Sequence, residues 1–196
     1  MCGIAGLLSL GGKPVSQEEV QLMCDAMVHR GPNDDGYYAG PEAVLGMRRL
    51  SIIDIEGGHQ PVHNEDRTIW VVFNGEIYNF KSLRVSLERQ GHCFYTDTDT
   101  EVIVHLYEQY GESCVDRLRG MFAFAIWDDR RKALLLARDR LGIKPLFYTV
   151  VGNRLAFGSE LKVLLQLPEI ERKLSWTSLN HLFSSMYTPA AESIIE

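Results

Sequence analysis

Short apolar segments separated by turn residues recur along this chain, and this pattern limits the fold more than any other feature of the sequence. The segments are rich in β-branched and aromatic residues, which is typical of strands. They are residues 3–10, 37–39, 43–53, 68–73, 121–127, 132–138, 146–150 and 154–157. Turn residues at 128–131 and 152–153 predict hairpins between neighbouring segments. The pattern therefore predicts largely antiparallel sheet.

Helical signals lie between these strands. Ser16 and Glu19 form a capping box for a helix that runs to about His29, and Thr98 and Glu101 form a second capping box. The predicted helices are residues 16–29, 79–90, 98–110 and 175–184. Strands and helices together predict an α+β domain.

The length of 196 residues, 45% of them apolar and 23% charged, fits one large domain or two small ones. We find no linker or internal repeat before about residue 167, so one domain accounts for that region. The pattern changes after Pro168, and the last residues stop in mid-segment. We therefore expect residues 168–196 to begin a connection to a further part of a longer protein.

Charge and hydropathy exclude two classes of partner. Twenty basic against 26 acidic residues give a net charge of −6, and the longest basic run is residues 130–132, which argues against nucleic acid. The longest apolar stretches fall far short of the roughly 20 residues that span a bilayer. The N-terminus has no basic region of the kind that signal peptides carry. A cytoplasmic protein that binds no membrane is expected.

The four cysteines show no CxxC pair, which predicts neither a disulfide framework nor a zinc site. Cys24, Cys93 and Cys114 are predicted to be core thiols. Cys2 differs, because removal of Met1 would leave a residue with both a thiol and a free α-amine. That amine has an ordinary pKa of about 7.7–8.0 and would suit a catalytic base. The alternative is that residue 2 is cysteine by chance.

Six motifs occur in order and carry a resemblance. They are MCGIAG at 1–6, HRGP at 29–32, RLSIID at 49–54, NGEIYN at 74–79, DTE at 99–101 and ARDRLGIKPLFY at 137–148. Together they resemble the glutaminase domain of glutamine-hydrolysing asparagine synthetase, a class II amidotransferase of the N-terminal-nucleophile hydrolase superfamily. The resemblance implies a four-layer αββα sandwich of two antiparallel sheets.

The resemblance also implies a function. Residues 2–167 would hydrolyse L-glutamine to glutamate and ammonia, as the ammonia-supplying half of an ATP-dependent asparagine synthetase, a ligase. Residues 168–196 would lead into a C-terminal synthetase domain of the same polypeptide. These residues alone are expected to hydrolyse glutamine without making asparagine.

Three site roles follow from the resemblance. Cys2 would be the nucleophile. Asn74 and Gly75, where the strand 68–73 is predicted to end, would form the oxyanion hole, although Asn-Gly is also a favoured β-turn pair. Arg49 would bind the α-carboxylate of glutamine. Its neighbour Arg48 could do the same, but the family motif matches at Arg49.

The remaining substrate contacts come from three short segments. Glu76 and Asp99 would bind the α-ammonium group, although a helix dipole alone would justify Asp99. The segment Leu50, Ser51, Ile52 and Ile53 would line the pocket through its backbone. Residues 30–32 are expected to shape a loop near the site, and Asn33 stands where the family has an acidic residue, so no catalytic role is assigned there.

No metal and no organic cofactor is expected in this domain. His59 and His63 do not form a metal pair, because Pro61 prevents one helix from presenting both. ATP and Mg²⁺ are expected only in the synthetase domain, and the resemblance allows a homodimer. Three alternatives stay open: a different carboxylate acceptor, a sugar-phosphate or phosphoribosyl amidotransferase, and a non-catalytic module that senses glutamine or thiol oxidation.

Overall fold

Two antiparallel sheets form the centre of the molecule. The computed structural model describes residues 1–11, 14–51, 54, 57–189 and 193–195. The strands are β1 (Gly3–Ser9), β2 (Asp34–Ala39), β3 (Ala43–Arg49), β4 (Val62–His63), β5 (Ile69–Ile77), β6 (Gly120–Asp128), β7 (Ala133–Arg138), β8 (Phe147–Val151) and β9 (Arg154–Gly158). One sheet has the order β2-β3-β1-β9-β8 and the other the order β4-β5-β6-β7.

Helices cover the outer faces of both sheets. They are α1 (Gln17–Asp25), α2 (Phe80–Glu88), α3 (Glu101–Tyr110), α4 (Leu161–Leu164) and α5 (Trp176–Ser185), with a 3-10 helix at Gly111–Arg117. Helices α1 and α4 pack on the first sheet, and α3 packs on the second. A third buried cluster lies between the sheets and includes Ile4, Leu45, Val72, Trp127 and Phe157. The order helix, sheet, sheet, helix confirms the predicted αββα sandwich.

Most of the predicted elements are confirmed. The hairpins β6–β7 and β8–β9 are antiparallel pairs. The Ser16 side chain accepts a hydrogen bond from Glu19 N at 3.3 Å and caps α1, as predicted, although α1 ends at Asp25 and not near His29. Three short elements were not predicted: β4, α4 and the 3-10 helix. Among the helices of the described residues, none has the length and hydropathy needed to span a bilayer.

The predicted end of the strand at Asn74 and Gly75 is wrong. Asn74 and Gly75 do not end a strand or form a turn, because β5 continues through them and pairs them with Ala123 and Phe122 of β6. A side chain at position 75 would meet Met121 O at 2.2 Å, so the close approach of the two strands requires glycine there.

The predicted capping box at Thr98 does not form. Helix α3 begins at Glu101 without a side-chain cap. The Glu101 carboxylate instead accepts hydrogen bonds from Tyr95 N at 2.8 Å and Thr96 N at 2.7 Å. Asp99 consequently lies just before the helix, not in its first turn.

The cysteines are free thiols, two of them in the core. Cys24 and Cys114 are buried, and burial raises the pKa of each thiol to about 12. Cys93 is exposed, so its prediction as a core thiol is wrong. Cys2 is partly buried at the entry to β1.

The cluster between the sheets should supply a large share of the stability. Phe157 is fully buried there, and its ring lies where a side chain on Gly6 would be. We expect Phe157→Ala to lower the free energy of unfolding by about 3–5 kcal/mol, because it leaves a cavity in the core. Phe183→Ala, at an exposed position of α5, is the control and should change it by less than about 0.5 kcal/mol. Urea unfolding measures both; similar losses for the two variants would contradict this packing.

Candidate active site

A cavity of about 260 Å³ lies beside the ends of strands from both sheets. Its walls come from the residues before β1, the end of β3, the middle of β5, the start of β6 and the segment before α3. The lining residues are Met1, Cys2, Arg49, Leu50, Gly58, Gln60, Phe73, Asn74, Gly75, Glu76, Thr98, Asp99, Thr100, Met121 and Lys144. The cavity thus brings together seven of the residues singled out in the sequence: Cys2, Arg49, Leu50, Asn74, Gly75, Glu76 and Asp99.

Strand alternation explains why Cys2 and Asn74 meet here. Ile4 of β1 and Val72 of β5 belong to the same buried cluster between the sheets. Successive side chains of a strand point to opposite faces, so residues two apart share a face. Cys2 precedes Ile4 by two positions, and Asn74 follows Val72 by two. Packing of the two sheets therefore directs both side chains to the same edge of the interface.

Contacts on both sides hold Cys2. Its sulfur lies 3.4 Å from Leu50 N, whose N–H donates to it, and 3.7 Å from Leu50 O. Its carbonyl accepts a hydrogen bond from Arg30 Nε at 2.9 Å, and Arg30 Nη1 pairs with Glu160 at 3.0 Å. Cys2 is thus fixed in place.

Met1 shares the cavity with Cys2. Its amino group donates to Arg30 O at 3.1 Å, and its sulfur accepts from Lys144 Nζ at 3.0 Å. The Met1 side chain therefore lies against Lys144 in the cavity wall.

Asn74 presents an unused donor. Its side chain is buried, and within the described ranges its Nδ2 has no hydrogen-bond partner. A buried amide without a partner costs about 1–3 kcal/mol, so it is retained only where something compensates for it. Because Asn74 lines the cavity, a ligand oxygen there would satisfy the Nδ2 donor.

Arg49, and not Arg48, faces the cavity. Arg49 is buried at the end of β3, and its Nη2 donates to Asp54 O at 2.6 Å. Arg48 points away, donating to Gly31 O at 3.2 Å and lying 3.5 Å from Asp35. The absence of a side chain at Gly58 leaves room for the guanidinium group. Of these two arginines, Arg49 is thus the one that lines the cavity, and its binding of a carboxylate stays a prediction.

Two carboxylates give the far end of the cavity a negative charge. Asp99 is buried and accepts a hydrogen bond from Ile77 N at 2.8 Å. Burial, with a smaller contribution from the negative charge of Glu76, raises the pKa of Asp99 to about 6, although the backbone hydrogen bonds oppose this. Asp99 and Glu76 thus place two carboxyl groups in the cavity wall.

The segment after Arg49 lines the cavity only in part. Leu50 is a wall residue. Ser51 is not a wall of this cavity in the described structure, and its N–H donates to Asn33 Oδ1 at 3.1 Å. Ile52 and Ile53 lie outside the described residues. The backbone contacts expected of residues 51–53 remain a prediction.

Three residues near the cavity had no predicted role. Arg30 holds the Cys2 carbonyl, as described above. Gln60 accepts a hydrogen bond from Phe73 N at 2.7 Å and so holds the backbone of β5 just before Asn74. Lys144 is buried in the cavity wall, and its backbone N–H donates to Asp139 at 3.0 Å. Arg30 and Lys144 lie within matched motifs, whereas no sequence signal indicated Gln60.

Comparison with protein families gives a match over the whole chain. Residues 1–196 match the family described as "Glutamine amidotransferase domain". Asparagine synthetase [glutamine-hydrolyzing] 2 of Bacillus subtilis is 47% identical over 90% of this chain and 24% of its own length. Asparagine synthetase [glutamine-hydrolyzing] 3 of Arabidopsis thaliana is 42% identical over 84% of this chain and 28% of its own. The chain thus spans less than a third of these relatives.

Comparison with solved structures supports the fold. A glutamine phosphoribosylpyrophosphate amidotransferase from B. subtilis, solved with ADP and GMP, superposes with a TM-score of 0.71. The match covers 87% of this chain and 45% of that one, at 21% identity. At this identity the likeness concerns the arrangement of sheets and helices.

The burial of Asp99 predicts a pH dependence of stability. Its pKa is about 6 in the folded chain against an ordinary 3.8, so the folded state holds the proton more tightly and the free energy of unfolding falls as pH rises through this range. Asp99→Asn cannot ionise. As the pH rises from about 4 to about 7.5, we expect the free energy of unfolding of Asp99→Asn to increase by about 2 kcal/mol relative to that of the wild type.

Asp97→Asn is the matched control, because Asp97 is exposed two positions away. Urea unfolding at the two pH values measures all three chains. A gain of the same size for Asp97→Asn, or none for Asp99→Asn, would show that Asp99 is not a buried acid with a raised pKa.

Proposed function

Because this chain belongs to the glutamine amidotransferase domain family, we propose that it hydrolyses the side-chain amide of L-glutamine, with Cys2 as nucleophile. The observation that carries the proposal is the convergence of Cys2 and the unpaired Asn74 amide on one cavity, with Arg49 and two carboxylates on its other walls. These groups match the reacting amide, the α-carboxylate and the α-ammonium of glutamine.

The active form requires removal of Met1. Once Met1 is gone, the nitrogen of Cys2 becomes a free amine with an ordinary pKa near neutrality, about 7.7–8.0, and can accept the thiol proton. Removal also clears the part of the cavity that the Met1 side chain lines. Arg30, which holds the Cys2 carbonyl, keeps the new terminus in place.

Sulfur then attacks the γ-carbonyl carbon of glutamine. The carbonyl oxygen becomes an oxyanion, which the Nδ2 group of Asn74 and the backbone N–H of Gly75 stabilise. Asn74 is held by the β5–β6 pairing, so its donor is in place before the charge develops. The Cys2 ammonium returns its proton to the leaving nitrogen, and ammonia departs from a γ-glutamyl thioester.

Water completes the reaction. The Cys2 amine takes a proton from water as the oxygen attacks the thioester carbonyl, and the same two donors stabilise the second oxyanion. Collapse breaks the C–S bond, the proton passes to sulfur, and glutamate leaves. Atoms balance as glutamine plus water giving glutamate plus ammonia, and no step uses a metal or an organic cofactor.

The other end of glutamine sets the specificity. Arg49 has the planar fork that binds a carboxylate through two parallel hydrogen bonds. Asp99 and Glu76 receive the ammonium group, and its charge offsets the cost of ionising buried Asp99. These contacts select a free α-amino acid over a glutamine residue within a peptide.

The ammonia would serve a second reaction elsewhere in a longer protein. The relatives named above are asparagine synthetases about three to four times as long as the region they share with this chain. We infer that the acceptor is a carboxylate, with aspartate the candidate that their names favour, and that ATP activates it in a synthetase domain beyond these residues. Residues 168–196 would lead into that domain.

Replacement of Cys2 tests the nucleophile. We expect Cys2→Ala to abolish glutamine hydrolysis with the fold intact, and Cys2→Ser to be severely impaired because a hydroxyl is far harder to ionise than a thiol. Cys93→Ser, at an exposed thiol outside the cavity, should retain full activity. A glutaminase assay measures the activity of each variant, and intact-mass measurement shows whether Met1 has been removed. Full activity in chains that keep Met1 would contradict the amine as base.

Arg49 and Asn74 should affect different kinetic constants. Arg49→Lys loses the two-point contact with a carboxylate that does not react, so KM should rise about 10- to 100-fold with little change in kcat. Asn74→Ala removes a donor to the transition state, so kcat should fall by about 10²–10³. Steady-state kinetics on variants with wild-type melting temperatures measure both. A fall in kcat for Arg49→Lys with an unchanged KM, or a rise in KM for Asn74→Ala with an unchanged kcat, would contradict the roles assigned to these residues.

A further inference from the structure

Four metal-ligating side chains converge on the outer side of the second sheet, away from the cavity. Glu65 comes from the connection between β4 and β5, His92 from the segment after α2, and His105 and Glu108 from one face of α3. One ligand atom from each lies within 4.8 Å of all the others. Residues distant in sequence thus form a mixed nitrogen and oxygen cluster.

The distances in this cluster are close to those around a tetrahedral ion. Ligands at about 2.0–2.2 Å from Zn²⁺ are separated from one another by roughly 3.3–3.6 Å. His92 Nδ1 lies 3.4 Å from Glu108 and 3.8 Å from Glu65. His105 Nδ1 lies 3.5 Å from Glu108 and 3.7 Å from Glu65. These four nitrogen–oxygen distances lie at or just above that range, and all four ligand atoms lie within 4.8 Å of one another, so a bound ion would draw the ligands closer together.

His105 supplies independent evidence for a ligand. Its ring is fully buried, and Nδ1 makes no hydrogen bond to any described part of the chain. A protonated His105 between carboxylates would give N–H···O distances of about 2.7–2.9 Å. The observed separations of 3.5–3.7 Å between Nδ1 and the carboxylates of Glu65 and Glu108 are too long for that pairing. A cation between the carboxylates would satisfy Nδ1.

The surrounding contacts fit this arrangement. Glu101 lies 3.5 Å from His105 Nε2, on the side opposite Nδ1, where a carboxylate orients a metal-bound imidazole. Asn64 donates to the other oxygen of Glu108 at 3.0 Å, which leaves Oε2 facing the histidines. Cys93 N donates to Glu65 at 2.8 Å. Each ligand except His92 is thus oriented by a hydrogen bond or a close carboxylate.

We propose that Glu65, His92, His105 and Glu108 bind one divalent transition-metal ion, of which Zn²⁺ fits the ligand set best. Two imidazoles and two carboxylates suit Zn²⁺, and their two negative charges would neutralise it. With four protein ligands the site is structural. It would join α3 to two preceding loops and, through Glu101, stabilise the segment that carries Asp99.

The test uses metal binding and not glutaminase activity, so it is independent of the proposed function. Chelator-treated chain carrying Cys2→Ala, which removes a competing thiol, is titrated with Zn²⁺ by competition and with Co²⁺ by absorption. We expect one ion per chain and the visible spectrum of tetrahedral Co²⁺ without a thiolate charge-transfer band. Zn²⁺ at a hundredfold excess over Kd should raise Tm by about 5–10 °C.

Variants identify the ligands. His92→Gln and Glu108→Gln replace ligands that are less buried than His105, and both variants should fold; each should weaken Zn²⁺ binding by more than about 100-fold. Cys93→Ser and His29→Gln replace exposed potential ligands outside the cluster and should bind as before. No stoichiometric binding, binding that survives both ligand variants, or binding lost in Cys93→Ser would each overturn the proposal.

Discussion

The packing of two sheets against each other is the interaction on which the rest of this structure depends. The cluster around Ile4, Val72 and Phe157 fixes β1 relative to β5. Residues two apart on a strand share a face, so the same packing also sets the positions of Cys2, two residues before Ile4, and of Asn74, two residues after Val72. The nucleophile and the oxyanion donor that we propose are therefore positioned by the hydrophobic core and not by loops, which favours a site formed before substrate arrives.

Local signals predicted most elements but not their assembly. The Ser16 cap succeeded because its partner, Glu19 N, lies three residues away. The cap predicted at Thr98 failed because Glu101 is engaged by Tyr95 and Thr96 instead. Asn-Gly at 74–75 indicated a turn, but strand pairing with β6 overrides that preference. The four layers themselves depend on contacts between distant segments, which the resemblance supplied and composition did not.

The site shows the same division between local and long-range information. Cys2, Arg49, Asn74 and Asp99 were singled out because they fall in matched motifs, and they line one cavity. Gln60 was missed because it lies outside the matched motifs, and its role, accepting a hydrogen bond from Phe73 N, depends on a contact between two separate segments. The cluster of Glu65, His92, His105 and Glu108 was likewise not predicted, because only His105 and Glu108 are close in sequence and the other two residues come from separate segments.

Direct observation of the covalent intermediate tests the central claim. Chain lacking Met1 is mixed with glutamine, quenched in acid within one turnover and analysed by intact mass and peptide mapping. The account predicts a γ-glutamyl adduct, glutamine less ammonia, on Cys2, which disappears as glutamate forms. Hydrolysis of glutamine with no adduct at any time, or with an adduct on Cys93 and not on Cys2, would contradict it.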